Sequence, residues 1–512
     1  MKKGLIICSL ILSTFFTYAQ EPLDALRYSW ITPSGTARQQ AIGGAMGSLG
    51  GDISALFTNP AGLAFFKTGD FVISPSFKLN NNKATYFGRT EKDKEKNFLL
   101  GTTGFVIGSG NSRSKRNAAF SIAVNRMADF NSNILYRGAN NQSSYSQKFL
   151  EEISNGRIKD ANRVATGFPL GTSLAFNTYW IDTVGGSSNG NFSFKTRAPI
   201  ATGLLQQQQI NTTGGINEFS IGGAIDVNDK IMVGGSFGLP ILNYTREATF
   251  LEADATTNTS NNFDFASFTE NLNTKGGGIN VKAGVIIKPV EYLRIGLALH
   301  SPTFYSLSDS YHSSITTNTE SYKGTLTAYS DGNNNSEASQ FRYSLITPFK
   351  AIVSASYVFR EIEDVRKQKG FITADVEYVN YKGSSFEPDQ QNANDVTTKD
   401  YLKSLNIAID NAYKSSLNFK VGGELKFTTL MVRAGAAYFG NPYNNIAGEK
   451  GSKINLSGGL GYRNKGKFID LTYIHAMGKD VQFPYRLQNA PYNGAEIKST
   501  NNNLMVTVGF KF

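Results

Sequence analysis

Apolar and polar residues alternate along most of this chain with a period of two. In LNFKVGGELKF, Leu417, Phe419, Val421, Leu425 and Phe427 fall on one face, and Asn418, Lys420, Glu424 and Lys426 on the other. In FITADVEY, Ile372, Ala374, Val376 and Tyr378 oppose Thr373, Asp375 and Glu377. The final residues repeat the pattern, with Leu504, Val506, Val508, Phe510 and Phe512 opposed to Thr507, Gly509 and Lys511. Successive side chains of a strand point to opposite faces, so this period predicts strands. The runs are about 10 residues long, as bilayer-crossing strands must be, and several end in aromatics such as Tyr438-Phe439 and Tyr473. A membrane-spanning antiparallel β-barrel, apolar toward lipid and charged toward a wet lumen, explains both features. A secreted sandwich explains only the alternation.

The connections alternate in length. Short links fall at 112–116, 228–229, 289–290, 361–369, 427–430 and 464–466, and longer ones at 81–96, 129–212, 251–273, 313–340, 382–415, 440–451 and 479–500. Outer-membrane barrels have short periplasmic turns and long extracellular loops. Counting the strands between the links predicts fourteen. Phe512 then ends the last strand on the short-turn side, suited to recognition of the C-terminal strand by the barrel-assembly machinery. Within 129–212, TSLAFNTYW could add an extracellular hairpin. Two loops carry helical spacing: Phe149, Leu150 and Ile153 share a face that stops at Gly156, and Tyr401, Leu402, Leu405, Ile409 and Ala412 share another. These helices are expected to cap the loops and pack on each other, the alternative being an apolar entry groove.

The front of the chain is different. Lys2 and Lys3, an apolar run and Thr17-Tyr18-Ala19 form the parts of a secretory signal peptide over 1–19, with cleavage near Ala19/Gln20. Cys8, the single cysteine, lies inside it, so the mature chain is expected to hold no disulfide and no thiolate site. Residues 20–66 precede the barrel at 67–512 and cannot be strand. They are small and glycine-dense and close on Asn59-Pro60-Ala61-Gly62. Fourteen strands enclose more space than wall side chains can fill, whereas about eight enclose little more than those side chains occupy. The segment is therefore expected to plug the lumen, with Ile42, Met46, Leu49, Ile53, Leu56 and Phe57 recurring at helical spacing.

Composition excludes other classes. The formal charge is +11, but the basic residues are scattered without a stripe, which argues against nucleic acid. Three histidines without ligand spacing predict no metal site, and no cofactor motif is present: the glycines at 43–51 lack the strand-then-helix setting of a phosphate loop. Asp375 and Glu377 face the same way and could pair as carboxylates, yet a wet lumen wall needs no catalysis to explain them. No nucleophile–base arrangement appears, and an enzyme is not expected.

GTARQQAIGGAMGSLGGDISALFTNPAGLA resembles the N-terminal hatch of the FadL-type long-chain fatty acid and aromatic hydrocarbon transporters, through Gly43-Gly44-Ala45, Asp52-Ile53-Ser54-Ala55 and Asn59-Pro60-Ala61-Gly62-Leu63. LRIGLALHSPTFYSLSD (with Gly296, Ser301 and Pro302), NRMADFN and ADVEYVNY resemble further segments of that family. The resemblance implies a fourteen-stranded barrel with its N-terminus inside, in the outer membrane of a Gram-negative bacterium. It implies passive uptake of hydrophobic small molecules, bound near the mouth, passed to a site at the hatch and released through a gap in the wall. Gly43, Gly44, Asp52, Asn59, Pro60, Ala61 and Gly62 are then the expected gating residues. Ile42, Met46, Leu49, Phe57, Phe149, Leu150 and Ile153 are the expected apolar ligand path. The expected surroundings are outer-membrane lipid, and the expected state is a monomer. The alternatives are a non-enzymatic barrel acting as a partner or shuttle in protein secretion, and a general porin, against which the hatch argues.

Overall fold

The computed structural model describes residues 22–30, 32–110, 117–185, 191–332, 338–360, 369–444 and 451–512. The expected signal peptide with Cys8, the turn at 112–116 and all but the last residue of that at 361–369 lie outside these residues.

Fourteen wall strands, among the described residues, form one closed antiparallel sheet. The first three are broken into inner and outer halves: β1 (Asp70–Ile73 and Pro75–Tyr86), β2 (Thr103–Gly110 and Arg89–Leu100) and β3 (Asn117–Asp129 and Ser132–Asn140). Then come β4 (Leu204–Asp226), β5 (Ile231–Asp254), β6 (Phe265–Val290), β7 (Leu293–His300 and Phe304–Asn318) and β8 (Ser339–Ile346 and Lys350–Phe359). The wall continues through β9 (Gly370–Asn380), β10 (Ser415–Phe427), β11 (Leu430–Phe439), β12 (Lys453–Asn464), β13 (Lys467–Gln482) and β14 (Ala495–Lys511). β14 closes the ring on β1, with Asp70 opposite Lys511 and Ser76 opposite Met505.

The alternation seen in the sequence becomes an inside and an outside. On β10, Leu417, Phe419, Val421 and Leu425 are each 46–53 % exposed, while Asn418 and Glu424 are buried. Val376, Val432, Leu456, Leu471 and Val508 continue the outer belt around the wall. A continuous apolar belt of this size is not stable in water and matches a lipid bilayer.

The strands outrun the expected length. β4, β5 and β6 have 23, 24 and 26 residues, against about 10 needed to cross a bilayer. The expected loop at 81–96 is thus a paired hairpin extension, turning at Phe87-Gly88, both with positive φ. Strands likewise occupy the first residues of 129–212, 251–273, 313–340 and 479–500. Beyond the bilayer the outer face of a strand meets water in place of lipid, so the apolar alternation that marks the wall weakens there.

Both expected loop helices are present, but they do not pack on each other. Helix Val396–Ala412, capped by Asp395 accepting from the Thr397 and Thr398 amides, packs on the N-terminal helix Pro22–Ser29 and on Ser385–Pro388. Helix Ser146–Asn155 belongs to a separate aromatic core with Tyr145, Phe149, Trp180, Phe250, Phe268 and Tyr485. TSLAF is helical (Thr172–Asn177), and the extra hairpin forms just after it, Ile181–Val184 pairing with Ser193–Thr196.

That loop core is pinned to the outer end of β5 by Glu252, which is fully buried. Its carboxylate accepts from the Ser144 hydroxyl, the Tyr145 amide (3.2 Å), Trp180 Nε1 (2.8 Å) and Gln206 Nε2 (3.1 Å). Burial raises its pKa, with the four donors pulling the other way. Removing the carboxylate strands buried donors, each costing about 1–3 kcal/mol. Glu252→Ala should therefore open the loop core and speed protease cleavage within 141–203 by tenfold or more, while the barrel keeps its heat-modifiable gel mobility. Equal cleavage of wild type and variant would count against this pin. Because folding raises this pKa, the loop core should resist protease better at mildly acidic than at neutral pH, and Glu252→Gln should remove that difference.

Candidate functional site

Residues 22–66 lie inside the wall, bonded to strands around nearly its whole circumference. The Gly35 amide donates to Asn125 of β3 (3.1 Å), Ala37 to Thr507 of β14 (2.8 Å), Gly43 to Ser457 of β12 (3.2 Å) and Gly47 to Asp375 of β9 (3.0 Å). Ser236 of β5 donates to the Leu56 carbonyl (3.0 Å), and Thr472 of β13 to that of Ala37 (2.6 Å). Helices are short here: Ala37–Ala41, Ala55–Thr58 and a 3₁₀ turn at Pro60–Phe65. The helical spacing expected through 42–57 is mostly a series of turns. Gly43 and Gly44 are both left-handed (φ 68° and 79°) and end the first helix, although every apolar residue of that stretch is buried as expected.

Asp52 ties the turns together. It accepts from Thr36 Oγ1 (2.9 Å), the Ser54 amide (3.0 Å) and the Ser54 hydroxyl (2.6 Å), and Thr36 in turn caps Ala37–Ala41. Asn59 is fully buried and extended, as the residue before proline prefers. Its Oδ1 accepts from the Ala61 amide (3.1 Å), and its Nδ2 donates to the Gly47 carbonyl (2.6 Å), reaching also the Val285 and Leu297 carbonyls of β6 and β7 at 3.3 and 3.4 Å. Asn59 thus ties the middle and the C-terminal end of the plug to the wall. An ionic cluster seals the opposite side: Arg433 Nε and Arg38 Nε both reach Glu424 (2.6 and 3.4 Å), and Arg433 Nη1 reaches Asp470 (2.6 Å).

The wall makes room for this segment with glycine. A Cβ built on Gly234 would stand 2.5 Å from the Pro60 carbonyl carbon, on Gly222 2.7 Å from Leu56 Cδ1 and on Gly459 2.8 Å from Ala41 Cβ. At Gly284 it would overlap Asn59 Oδ1, at Gly296 the Gly47 carbonyl oxygen, at Gly422 that of Ile42 and at Gly435 the Gly43 nitrogen. The sequence reading missed this ring. Its signal was present, because each of the seven glycines stands five or six residues from a short turn and so at one height in the wall. Gly435→Leu should unseat the plug and raise single-channel conductance in planar bilayers several-fold without preventing barrel assembly. Gly458→Leu, where a Cβ meets only the Arg433 carbonyl oxygen at 3.8 Å, should leave conductance unchanged. A closed Gly435→Leu channel would mean the contact is slack.

Between plug and long loops lies a luminal cavity of about 280 Å³, bounded by Gln39, Gly43, Gly44 and Phe57 of the plug. Its wall is polar and cationic. Lys420 pairs with Glu377 (3.0 Å) and Lys78 with Asp129 (2.7 Å). Lys453 lies 3.7 Å over the Trp30 ring, and Lys350 has no ion-pair partner among the described residues. The side-chain oxygens of Asn80, Asn501 and Asn503, which also line it, are buried without a hydrogen-bond partner. Asp375 and Glu377 do not act as a pair: Asp375 is engaged by Ser354 (2.5 Å) and the plug, Glu377 by Lys420 and Asn418 (2.7 Å).

The expected apolar path is not assembled as one surface. Ile42, Met46 and Leu49 form a closed cluster with Val358 and Phe371. Phe149 and Ile153, with Leu150 beside them, belong to the loop core, and of the seven residues only Phe57 lines the cavity. Composition could not separate apolar residues that pack a plug from residues that line a route. Beside the cavity the wall is incomplete: the outer half of β2 pairs only with β1, and the outer half of β3 only with β4. Side chains alone bridge the gap, Asn133 to Glu95 (2.7 Å) and Arg137 to Glu91 (2.6 Å). Phe130 and Asn131, at the break in β3, line the cavity.

No family model and no curated protein matches the sequence. Among solved structures, a Pseudomonas aeruginosa FadL homologue superposes with a TM-score of 0.56 at 14 % identity, over 94 % of this chain and 100 % of that one. The deltaS2 mutant of the TodX monoaromatic hydrocarbon channel superposes with a TM-score of 0.51 at 12 % identity, over 93 % and 98 %. The chain has the fold of the FadL-type barrels: a closed fourteen-stranded antiparallel wall around its own N-terminal segment.

Proposed function

We propose that this chain is a passive outer-membrane channel of a Gram-negative bacterium that takes up amphiphiles with an acidic head, long-chain fatty acids being the type, and that residues 22–66 act as its gate. The short turns face the periplasm in this reading. The observation that carries it is the cavity against the plug, with Lys350 in no ion pair among the described residues and Lys420, Lys453 and Lys78 around it, beside a gap in wall pairing. A carboxylate is attracted by one or two such cations. Its tail gains about 0.8 kcal/mol per CH₂ removed from water, so the gap offers it a route toward lipid. A purely apolar hydrocarbon would meet neither Lys350 nor the buried polar atoms of Asn80, Asn501 and Asn503 with a polar group of its own, which favours the acid.

Binding needs no energy source if the plug exchanges between seated and unseated states and substrate favours the second. Asn59 is the residue best placed to govern that exchange, since its one side chain bonds Gly47 and Ala61 of the plug and reaches carbonyls of both β6 and β7. Asn59 and Pro60 both replaced by alanine should leave assembly and heat-modifiability intact and change uptake of a labelled long-chain fatty acid in cells lacking their own transporter. Lys350→Glu should lower that uptake about tenfold, by repelling the head, and leave uptake of an uncharged hydrocarbon unchanged. Equal fatty-acid uptake by Lys350→Glu and wild type would refute an acidic-head channel.

A further inference from the structure

On the outer half of β2 the charges sort by face. Glu91, Asp93 and Glu95 turn inward with Ala84, Asn82 and Asn80 of β1, and Lys92, Lys94, Lys96 and Phe98 are left exposed on the outward side. The register extends this outward face across the neighbouring strands. Lys83 of β1 stands directly opposite Lys92 on one side and Lys498 of β14 on the other, and Lys498 stands opposite Lys479 of β13. All four are exposed. Along the sequence these lysines lie as far apart as 83 and 498, and only the sheet gathers them. None of the six is in an ion pair among the described residues. The inward carboxylates are engaged elsewhere: Glu91 accepts from Arg89 (2.8 Å) and Arg137 (2.6 Å), and Glu95 from Asn133 (2.7 Å). Among the described residues the same outward face of these four strand ends carries one carboxylate, Glu496, a residue pair farther out than Lys498. The connections at 87–88 and 483–494, which border the patch, are described throughout and carry no acidic residue.

Like charges directly opposite one another on one face of a sheet are destabilising. A row of four lysines is therefore costly until an anion lies across it. Its height says which anion. Tyr473, Leu504, Phe77 and Phe98 stand opposite one another in a single exposed row, the outermost on which all four strands are apolar. Lys96, Lys94 and Lys92 follow two, four and six residues beyond Phe98, about 7, 13 and 20 Å along the strand. The patch thus begins where acyl chains give way to headgroups and continues outward. A soluble anion there would gain from charge alone. A lipid gains twice, with its chains on Phe77, Phe98 and Leu504 and its phosphates against the lysines. Six cations exceed what one phosphate can meet, and their spread of about 13 Å from Lys96 to Lys92 suits phosphates separated by sugar.

We propose that the outward face of β13, β14, β1 and β2 binds the head of an outer-leaflet glycolipid that carries two or more phosphates, a reading that rests on the long loops facing outward as above. Lys83→Gln, Lys92→Gln, Lys94→Gln and Lys498→Gln combined remove like charges from exposed positions and should assemble with normal heat-modifiability. Native mass spectrometry of the full chain in non-ionic detergent with EDTA, titrated with bisphosphorylated lipid A and with the same lipid stripped of both phosphates, should show wild type holding the first at least tenfold tighter. The quadruple variant should hold the two alike. Equal binding of the two lipids by wild type, or an undiminished preference in the folded variant, overturns the proposal. So does tripolyphosphate binding as tightly as lipid A, because the apolar row would then contribute nothing. Labelling of Thr90→Cys on intact cells by a membrane-impermeant maleimide tests the orientation separately: an unlabelled cysteine, with the lipid preference intact, would overturn the outer-leaflet placement and not the phosphate recognition. Fatty-acid uptake by the quadruple variant tests the channel reading, since none of the four lysines lines the luminal cavity.

Discussion

A strand surrounded by lipid has no water to bond its backbone, so every N–H and C=O in the wall must find a partner within the sheet. Closure of β14 onto β1 meets that requirement, and most of the molecule follows from it. Fourteen strands close around more space than their inward side chains can fill. The N-terminal segment occupies that space, and the wall carries glycine where the two backbones touch. The requirement lapses in the extension beyond the bilayer, and there side chains such as Asn133 and Arg137 bridge the unpaired outer edges of β2 and β3.

The plug is held by polar contacts more than by a core of its own. Asp52 organises its turns, Asn59 joins its C-terminal end to Gly47, and Arg38 links it to Glu424 on the wall. Such bonds are individually modest when exchanged against water, about 0.5–1.5 kcal/mol each. A plug seated by many of them can be stable and yet be released by a ligand that substitutes for a few. The luminal cavity offers such a place, since it borders Gly43 and Gly44 directly.

Charge is layered along the lumen. The cavity near the long loops mixes lysines with Glu377 and Asp129, the middle seal balances Arg38 and Arg433 against Glu424 and Asp470, and among the described residues the charged side chains lining the short-turn mouth are lysines and arginines. A net charge of +11 said nothing of this order. The three layers differ because inward residues of neighbouring strands meet only once the register is set, and a shift by one residue would turn every one of them toward lipid.

Period-two alternation, strand count and closure were legible from residues such as Leu417 to Phe427, because lipid on one side and water on the other impose opposite demands on successive side chains. The helices at 146–155 and 396–412 were legible for the same kind of reason, a repeating apolar face. Where polar residues take both faces of a strand, as at Asn80–Lys83 and Glu91–Lys96, the pattern vanished and the extensions read as loop. The site depended on more than pattern. That Phe57 lines a cavity while Ile42 and Met46 only pack, that Glu252 pins a loop core, and that Lys350 faces the cavity in no ion pair among the described residues are facts about neighbours distant in sequence. Periodicity reports which face a residue takes; only the closed register decides what stands opposite it.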